Sequence, residues 1–267
     1  MYLANELKIE KGVTAIIGSG GKTTLLHKLA AELSQQGSVI LTTSTHIRPS
    51  EVYPCLYSPT AEDISAFFAE KIMCHPEKRS DEGSAPANRV ILNEVKDPVP
   101  MNGSRSFADT QDDTPKFPVL CIGTLTDEGK FTACDVPFEE LEQLADYVLV
   151  EADGSRMLPL KAHRAGEPVI PANTRRTVCV VGAAGLNKPI REAVHRPELF
   201  CSAVGATPAE RATPVFVAWL LNYEDLAEIY YVNQCDLPES REPARELASL
   251  LCKPAICGSL QTKEVYR

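Results

Sequence analysis

A β-branched run from Val13 to Ile17 that ends in a cluster of glycines and passes straight into helical spacing constrains this chain more than any other feature. Apolar residues recur at Leu25, Leu26, Leu29, Ala30 and Leu33, so Lys22 to Gln36 reads as a helix stopped by Gly37. Val39 to Thr42 then reads as a second strand, and strand, tight loop, helix and strand make a βαβ unit of the parallel type. Further buried strands are predicted at Val119 to Gly123, Tyr147 to Val150, Val178 to Val181, Ile229 to Val232 and Ala255 to Cys257. Helical spacing near Ala61 to Glu70, Phe138 to Leu144 and Arg241 to Leu251 separates some of them. The expected fold class is therefore α/β, a doubly wound, mainly parallel sheet.

The glycine loop adds a chemical reading. In Gly18-Ser19-Gly20-Gly21-Lys22-Thr23-Thr24 the glycines leave backbone amides free to converge on an anion, and the following helix offers its positive end. Lys22 is placed to reach the terminal phosphates of a nucleotide and Thr23 to ligate Mg2+. The formal phosphate-loop spacing wants a glycine five residues before Gly21, where Ile16 stands, so the pattern is missed by one position. The expectation is a P-loop NTPase-like fold.

A second acidic site is expected at the end of a neighbouring strand, and Tyr147 to Val150 leads to Glu151, Asp153 and Gly154. Glu151 to Gly154 has the acidic-x-x-Gly spacing that senses the last phosphate in GTPases and related ATPases, and Asp153 is a second candidate metal or water-orienting carboxylate. Lys22, Glu151 and Asp153 are thus the candidate catalytic residues, with Thr23, Glu151 and Asp153 as candidate Mg2+ ligands.

After the strand ending in Val232 come Asn233-Gln234-Cys235-Asp236, the Asn-x-x-Asp arrangement with which G proteins read guanine. Asp236 is a candidate acceptor for the ring imide and exocyclic amine, donors that adenine does not present in the same way. Gln234 replaces the usual lysine, and Cys257-Gly258-Ser259-Leu260 is expected to close over the base. Either GTP or ATP remains open, with GTP favoured. Candidate contacts to a second substrate are Thr43, Thr45 and His46 after the second strand, Arg156, Lys161 and His163 after the acidic strand, and His195 with Arg196 further on.

Composition limits the partners. The 267 residues with 44% hydrophobic content suffice for one core, read as a single domain over 1–267. Residues 75–116, rich in Pro, Ser, Asp, Asn and Arg, are expected to be a disordered insertion; their wording resembles translated repetitive bacterial DNA. A formal net charge of -9 with no Lys/Arg run argues against nucleic acid or an anionic membrane surface as partner. No apolar stretch reads as a signal peptide or membrane span, so a cytoplasmic location is expected. Nine cysteines without a two-residue gap read as buried free thiols, with Cys252 and Cys257 the weak exception.

Taken together, IIGSGGKTTLL, TTSTHI, VEADGSRMLPLKAHRAGEPVIP, VVGAAGLNKPI with VHRPE, and VNQCD resemble the YqeC family of selenium-dependent molybdenum hydroxylase accessory proteins. The resemblance implies a P-loop nucleotide-binding fold and a part in selenium cofactor insertion or molybdenum hydroxylase maturation. It implies as partners a molybdenum hydroxylase or its cofactor-maturation proteins. Three functions stay open: an NTP hydrolase, GTP-using by preference, that assists metallocentre assembly as metallochaperone GTPases do; an ATP-dependent ligase or kinase-type enzyme with the loop of Mur-type ligases; and a non-catalytic nucleotide-gated binding protein.

Overall fold

The computed structural model describes residues 2–73, 115–262 and 264–266. The expected insertion at 75–116, all but its last two residues, lies outside them. In chain order the elements are α1 (Leu3–Glu6), β1 (Gly12–Gly18), α2 (Lys22–Leu33), β2 (Val39–Thr43), β3 (Cys55–Tyr57) and α3 (Ala61–Met73). They continue with β4 (Val119–Leu125), β5 (Phe131–Thr132), α4 (Phe138–Leu144), β6 (Tyr147–Glu151), β7 (Leu160–Lys161) and β8 (Thr174–Gly182). After a 3-10 turn (Ala183–Gly185) come α5 (Ile190–Ala193), β9 (Val194–His195), α6 (Pro197–Val204), α7 (Pro214–Glu224), β10 (Ile229–Asn233), α8 (Pro238–Leu250), β11 (Ala255–Ser259) and β12 (Glu264–Tyr266).

One sheet runs in the order β12-β11-β10-β8-β1-β6-β2-β4-β3, with β5 paired to β4, while β7 and β9 form a separate two-stranded parallel pair. Every neighbouring pair along the main sheet is parallel except β11 with β12, and β5 is antiparallel to β4. All seven residues of β1 are buried, as a strand covered on both faces requires. Its side chains alternate: Ile16 packs with Leu25, Leu26 and Leu29 of α2, while Ala15 and Ile17 pack toward the layer built by α6, α7 and α8. Val13 joins a third cluster with Ile64, Phe67 and Phe68 of α3 and Leu141 of α4. Helices therefore cover both faces, an α/β doubly wound arrangement consistent with a P-loop NTPase-like fold. Burial of one such aliphatic side chain contributes about 1.5–3 kcal/mol, so these interlocking faces dominate what holds β1 central.

The predicted strands and helices are present with small boundary differences. The helix expected from Lys22 to Gln36, α2, ends at Leu33, because Gln36 and Gly37 turn back to donate to the Leu33 carbonyl at 2.8 and 3.0 Å. Among the described residues no helix is long and apolar enough to cross a membrane. The parallel order brings the carboxyl ends of β1, β2, β6, β8, β10 and β11 to one edge, and β1 stands where strands reached by separate crossovers flank it on both sides.

Candidate functional site

β1 ends at Gly18, and the next residues turn the chain into α2 with Gly18, Gly20 and Gly21 at φ of 88°, 88° and 125°. Only glycine takes these angles without strain, and at Gly20 a side chain would also strike the Gly182 backbone at 2.5 Å. The first two amides of the turn are spent inside the protein. Gly18 N–H donates to Asp153 Oδ2 at 2.9 Å and Ser19 N–H to the Val180 carbonyl at 2.8 Å. Ser19 Oγ donates to the Leu158 carbonyl, so the loop is stitched to the segment that follows the acidic strand. The amides of Gly20, Gly21, Lys22, Thr23 and Thr24 have no partner among the described residues. That run sits at the positive end of a 12-residue helix.

Lys22 is buried and folds back over its own loop. Its Nζ donates to the Gly18 carbonyl at 2.9 Å and to Ser155 Oγ at 3.3 Å. It lies 3.2 Å from Asp153 Oδ1 and 3.8 Å from Glu151 Oε1, so the expected cation and acids do meet. Thr23 Oγ1, at the exposed mouth, donates to Glu151 Oε2 at 2.9 Å. Burial raises the Glu151 pKa, and the Lys22 charge and the Thr23 hydroxyl only partly offset it. Asp153 is the opposite case. Burial opposes its ionisation, but His163, Lys22 and Lys161 outweigh it and hold the carboxyl far below the usual range.

Asp153 is wholly buried, and its two oxygens differ. Oδ2 accepts from Gly18 N, from Lys161 Nζ at 2.8 Å and from His163 Nε2 at 2.8 Å. Oδ1 has no hydrogen-bond partner; Lys22 Nζ is within ion-pair distance but outside hydrogen-bond geometry. An orphaned carboxylate oxygen beside a hydroxyl and a second carboxylate is a donor set that fits Mg2+, which takes one or two protein oxygens and fills the rest of its shell from phosphates and water. No group of three or more His, Cys, Asp or Glu able to hold a metal occurs among the described residues.

The candidates for a second substrate divide. Lys161 and His163, delivered by β7 and the residues after it, are committed to Asp153. Lys161 Nζ also donates to the Gly154 carbonyl at 2.8 Å, and His163 is held from behind by Glu224 at 2.7 Å. Arg196 is tied to Glu167 at 2.7 Å and to the Ala162 carbonyl at 3.3 Å. Thr43 Oγ1 donates to the Glu151 carbonyl at 2.7 Å and accepts from Thr45 N at 3.0 Å, which fixes the end of β2 beside the acids. Arg156 and His46 are exposed. Partial burial, and then the charges of Arg196, Lys161 and Arg156, lower the pKa of His195. Glu224 had no sequence signal, because it is an ordinary residue at the end of a helix more than sixty positions beyond His163.

At the end of β10, Asn233 and Asp236 are wired to other parts of the edge. Asn233 Nδ2 donates to the Gly20 carbonyl at 2.8 Å, and its Oδ1 accepts from Leu260 N at 3.1 Å. Asp236 Oδ1 accepts from Ser259 Oγ, whose oxygen in turn accepts from Gln261 N and Thr262 N at 3.1 Å each. Gln234, at φ 65°, points its buried and unpartnered Oε1 toward Gly182. Cys257 Sγ donates to the Ala244 carbonyl at 3.5 Å and Cys235 Sγ to the Val232 carbonyl at 3.4 Å, both buried, whereas Cys252 is exposed.

Comparison with known proteins assigns the sequence to a family. A protein of Escherichia coli (strain K12), named Uncharacterized protein YqeC, is 28% identical over 201 residues, 73% of this chain and 62% of that protein. The chain thus spans less than two thirds of that relative's length. No solved structure matches. A family model described as YqeC protein matches residues 14–198, a stretch that holds the phosphate-type loop, both acids, Lys161 and His163 but neither Asn233 nor Asp236. That match covers more than half of the sequence, and the chain belongs to the YqeC family.

Proposed function

We propose that this chain binds a nucleoside triphosphate with Mg2+, prefers guanine, and hydrolyses it to diphosphate and inorganic phosphate. The observation that carries the reading is the run of five unpartnered amides, Gly20 to Thr24, at the start of α2 with the Lys22 ammonium beside it. Buried or semi-buried N–H groups left unpaired are costly unless water or an anion satisfies them, and a triphosphate supplies several anionic oxygens at once. Lys22 would exchange its contact with Asp153 for the terminal phosphates. Thr23 and Glu151 would hold Mg2+, which when bound neutralises charge on the phosphates, and Asp153 would orient the attacking water. Asn233 ties the loop to the last strand, and Asp236, fixed by Ser259, keeps its second oxygen for a base with paired N–H donors.

The wider role we propose follows from the family: assistance to selenium cofactor insertion or to maturation of a molybdenum hydroxylase, with the hydroxylase or its maturation proteins as partners. The test is competition of GTP and ATP for a fluorescent triphosphate, with and without Mg2+, followed by phosphate release. Preference for GTP with release supports the reading. No binding of either nucleotide removes it; ATP preference with ADP released only when an acceptor is added favours a ligase. Tight binding with no turnover favours a nucleotide-gated binding protein.

A further inference from the structure

We propose that Lys161 and His163, with Glu224 behind His163, are positioning residues that lock the Asp153 carboxylate so that its free oxygen, Oδ1, faces the Lys22 ammonium and the water that attacks the terminal phosphate. The inference rests on the nucleotide reading given above and extends it to residues that touch neither nucleotide nor metal.

The geometry is one-sided. Gly18 N–H, Lys161 and His163 all converge on Oδ2, at 2.9, 2.8 and 2.8 Å, and none of them touches Oδ1. Rotation of the carboxylate would break three hydrogen bonds, two of them to groups that carry charge, so the orientation is fixed before any ligand arrives. Behind this first layer stands a second. His163 Nδ1 lies 2.7 Å from Glu224 Oε2, and the backbone N–H of His163 donates to Glu224 Oε1 at 2.8 Å, so one carboxylate grips both the ring and the main chain. A carboxylate therefore lies against each ring nitrogen of His163, which fixes the orientation of the imidazole. Lys161 and His163 side chains are 1% and 4% exposed, so neither is free to meet a solvent-borne substrate.

A carboxylate whose charge is already answered on one oxygen by three donors is a weak base but an intact acceptor. Its part in hydrolysis is therefore to orient. The water oxygen forms the new bond to the terminal phosphorus as the bridging oxygen–phosphorus bond breaks. The diphosphate leaves with that electron pair, and the water's proton ends on the inorganic phosphate. Asp153 Oδ1 accepts a hydrogen bond from the water throughout and keeps no proton.

The test uses the full chain with GTP and Mg2+ and measures kcat, KM and the affinity for a fluorescent triphosphate for Lys161→Met, His163→Ala and Glu224→Gln. Positioning predicts that kcat falls roughly 10–100-fold in the first two while affinity stays within about threefold, the size expected when the partner behind an active group is removed. Lys161→Arg and His163→Gln, which keep a donor on Oδ2, should recover part of kcat. Glu224→Gln keeps the shape and the backbone contact, so it folds even where Lys161→Met does not, and it should lower kcat alone. Unchanged kcat in folded variants, or KM and affinity moving in step with kcat, would overturn the proposal. A wild-type chain that binds triphosphate without turning it over overturns it too and leaves nucleotide binding standing; a chain that binds none removes both.

Discussion

The side-chain amide of Asn233 donates to the main-chain carbonyl of Gly20 across 2.8 Å, so the end of β10 and the glycine loop behave as one hydrogen-bonded piece. A residue read from sequence as a reader of the base is, in the fold, a strut of the glycine loop. Asp236 has no such tie to the loop; it accepts from Ser259 Oγ. The two residues should therefore respond differently to mutation. Asn233→Ala should weaken GTP and ATP alike, by about tenfold for a lost hydrogen bond of roughly 1–1.5 kcal/mol. Asp236→Asn should weaken GTP and leave ATP nearly unchanged. Parallel titrations of both nucleotides on both variants check this, and equal losses at Asp236 would count against base reading.

Lys22→Ala should remain folded and lose triphosphate affinity by roughly 10–100-fold, the range for a charged hydrogen bond. The fold survives because Asp153 keeps Lys161, His163 and Gly18 N–H, and Glu151 keeps the Thr23 hydroxyl. Circular dichroism and nucleotide titration together separate the two effects.

Gly21→Ala places a methyl group 2.5 Å from Asn233 Nδ2 at a φ of 125°. The backbone strain costs about 1–3 kcal/mol, and the Asn233 strut has to move as well. At this chain length each kcal/mol lowers Tm by about 2–4 °C, so a thermal melt should register the change, and nucleotide affinity should fall with it.

At the opposite end of the sheet, Asp146 accepts from Ser38 N at 2.9 Å, Ser38 Oγ at 3.1 Å and Lys11 Nζ at 2.7 Å. Burial pushes its pKa up, but Lys11 and Ser38 together pull it below the ordinary value. A depressed carboxyl pKa stabilises the fold above the unfolded value near 3.9, and that contribution disappears as pH falls through the folded value. Asp146→Ala should cost about 1–2 kcal/mol at pH 7, and the gap between variant and wild type should close in acid melts. A gap independent of pH would show that the carboxylate's charge is not involved.

Much of the architecture could be read from local pattern. Val13 to Ile17 and Tyr147 to Val150 are short β-branched or aliphatic runs that end in glycine or acid, and parallel strands buried on both faces leave that mark. The meeting of Lys22, Thr23, Glu151 and Asp153 was likewise legible, since the rule that ligands gather at the carboxyl edge needs only strand identities. The short β7 and β9 were not, because two residues have no periodicity. Neither was the commitment of Lys161 and His163 to Asp153. A lysine or histidine in a polar segment looks the same whether it faces solvent or a buried carboxylate, and Glu224, which decides the matter, comes from a distant helix. Asn233 was singled out as a reader of the base, and its contact with Gly20 spans 213 positions and has no local trace.

The central place of β1 has a consequence during synthesis. Its partners are β6, starting at Tyr147, and β8, starting at Thr174, so the strand leaves the ribosome well over a hundred residues before anything can pair with it. At about 5–20 residues per second that interval lasts roughly 6–26 seconds. Throughout it Gly12 to Gly18, destined to be entirely interior, offers an unpaired edge to other nascent chains. Cells that make this protein in quantity should therefore depend on holding factors that shield the early segment until β6 and β8 arrive.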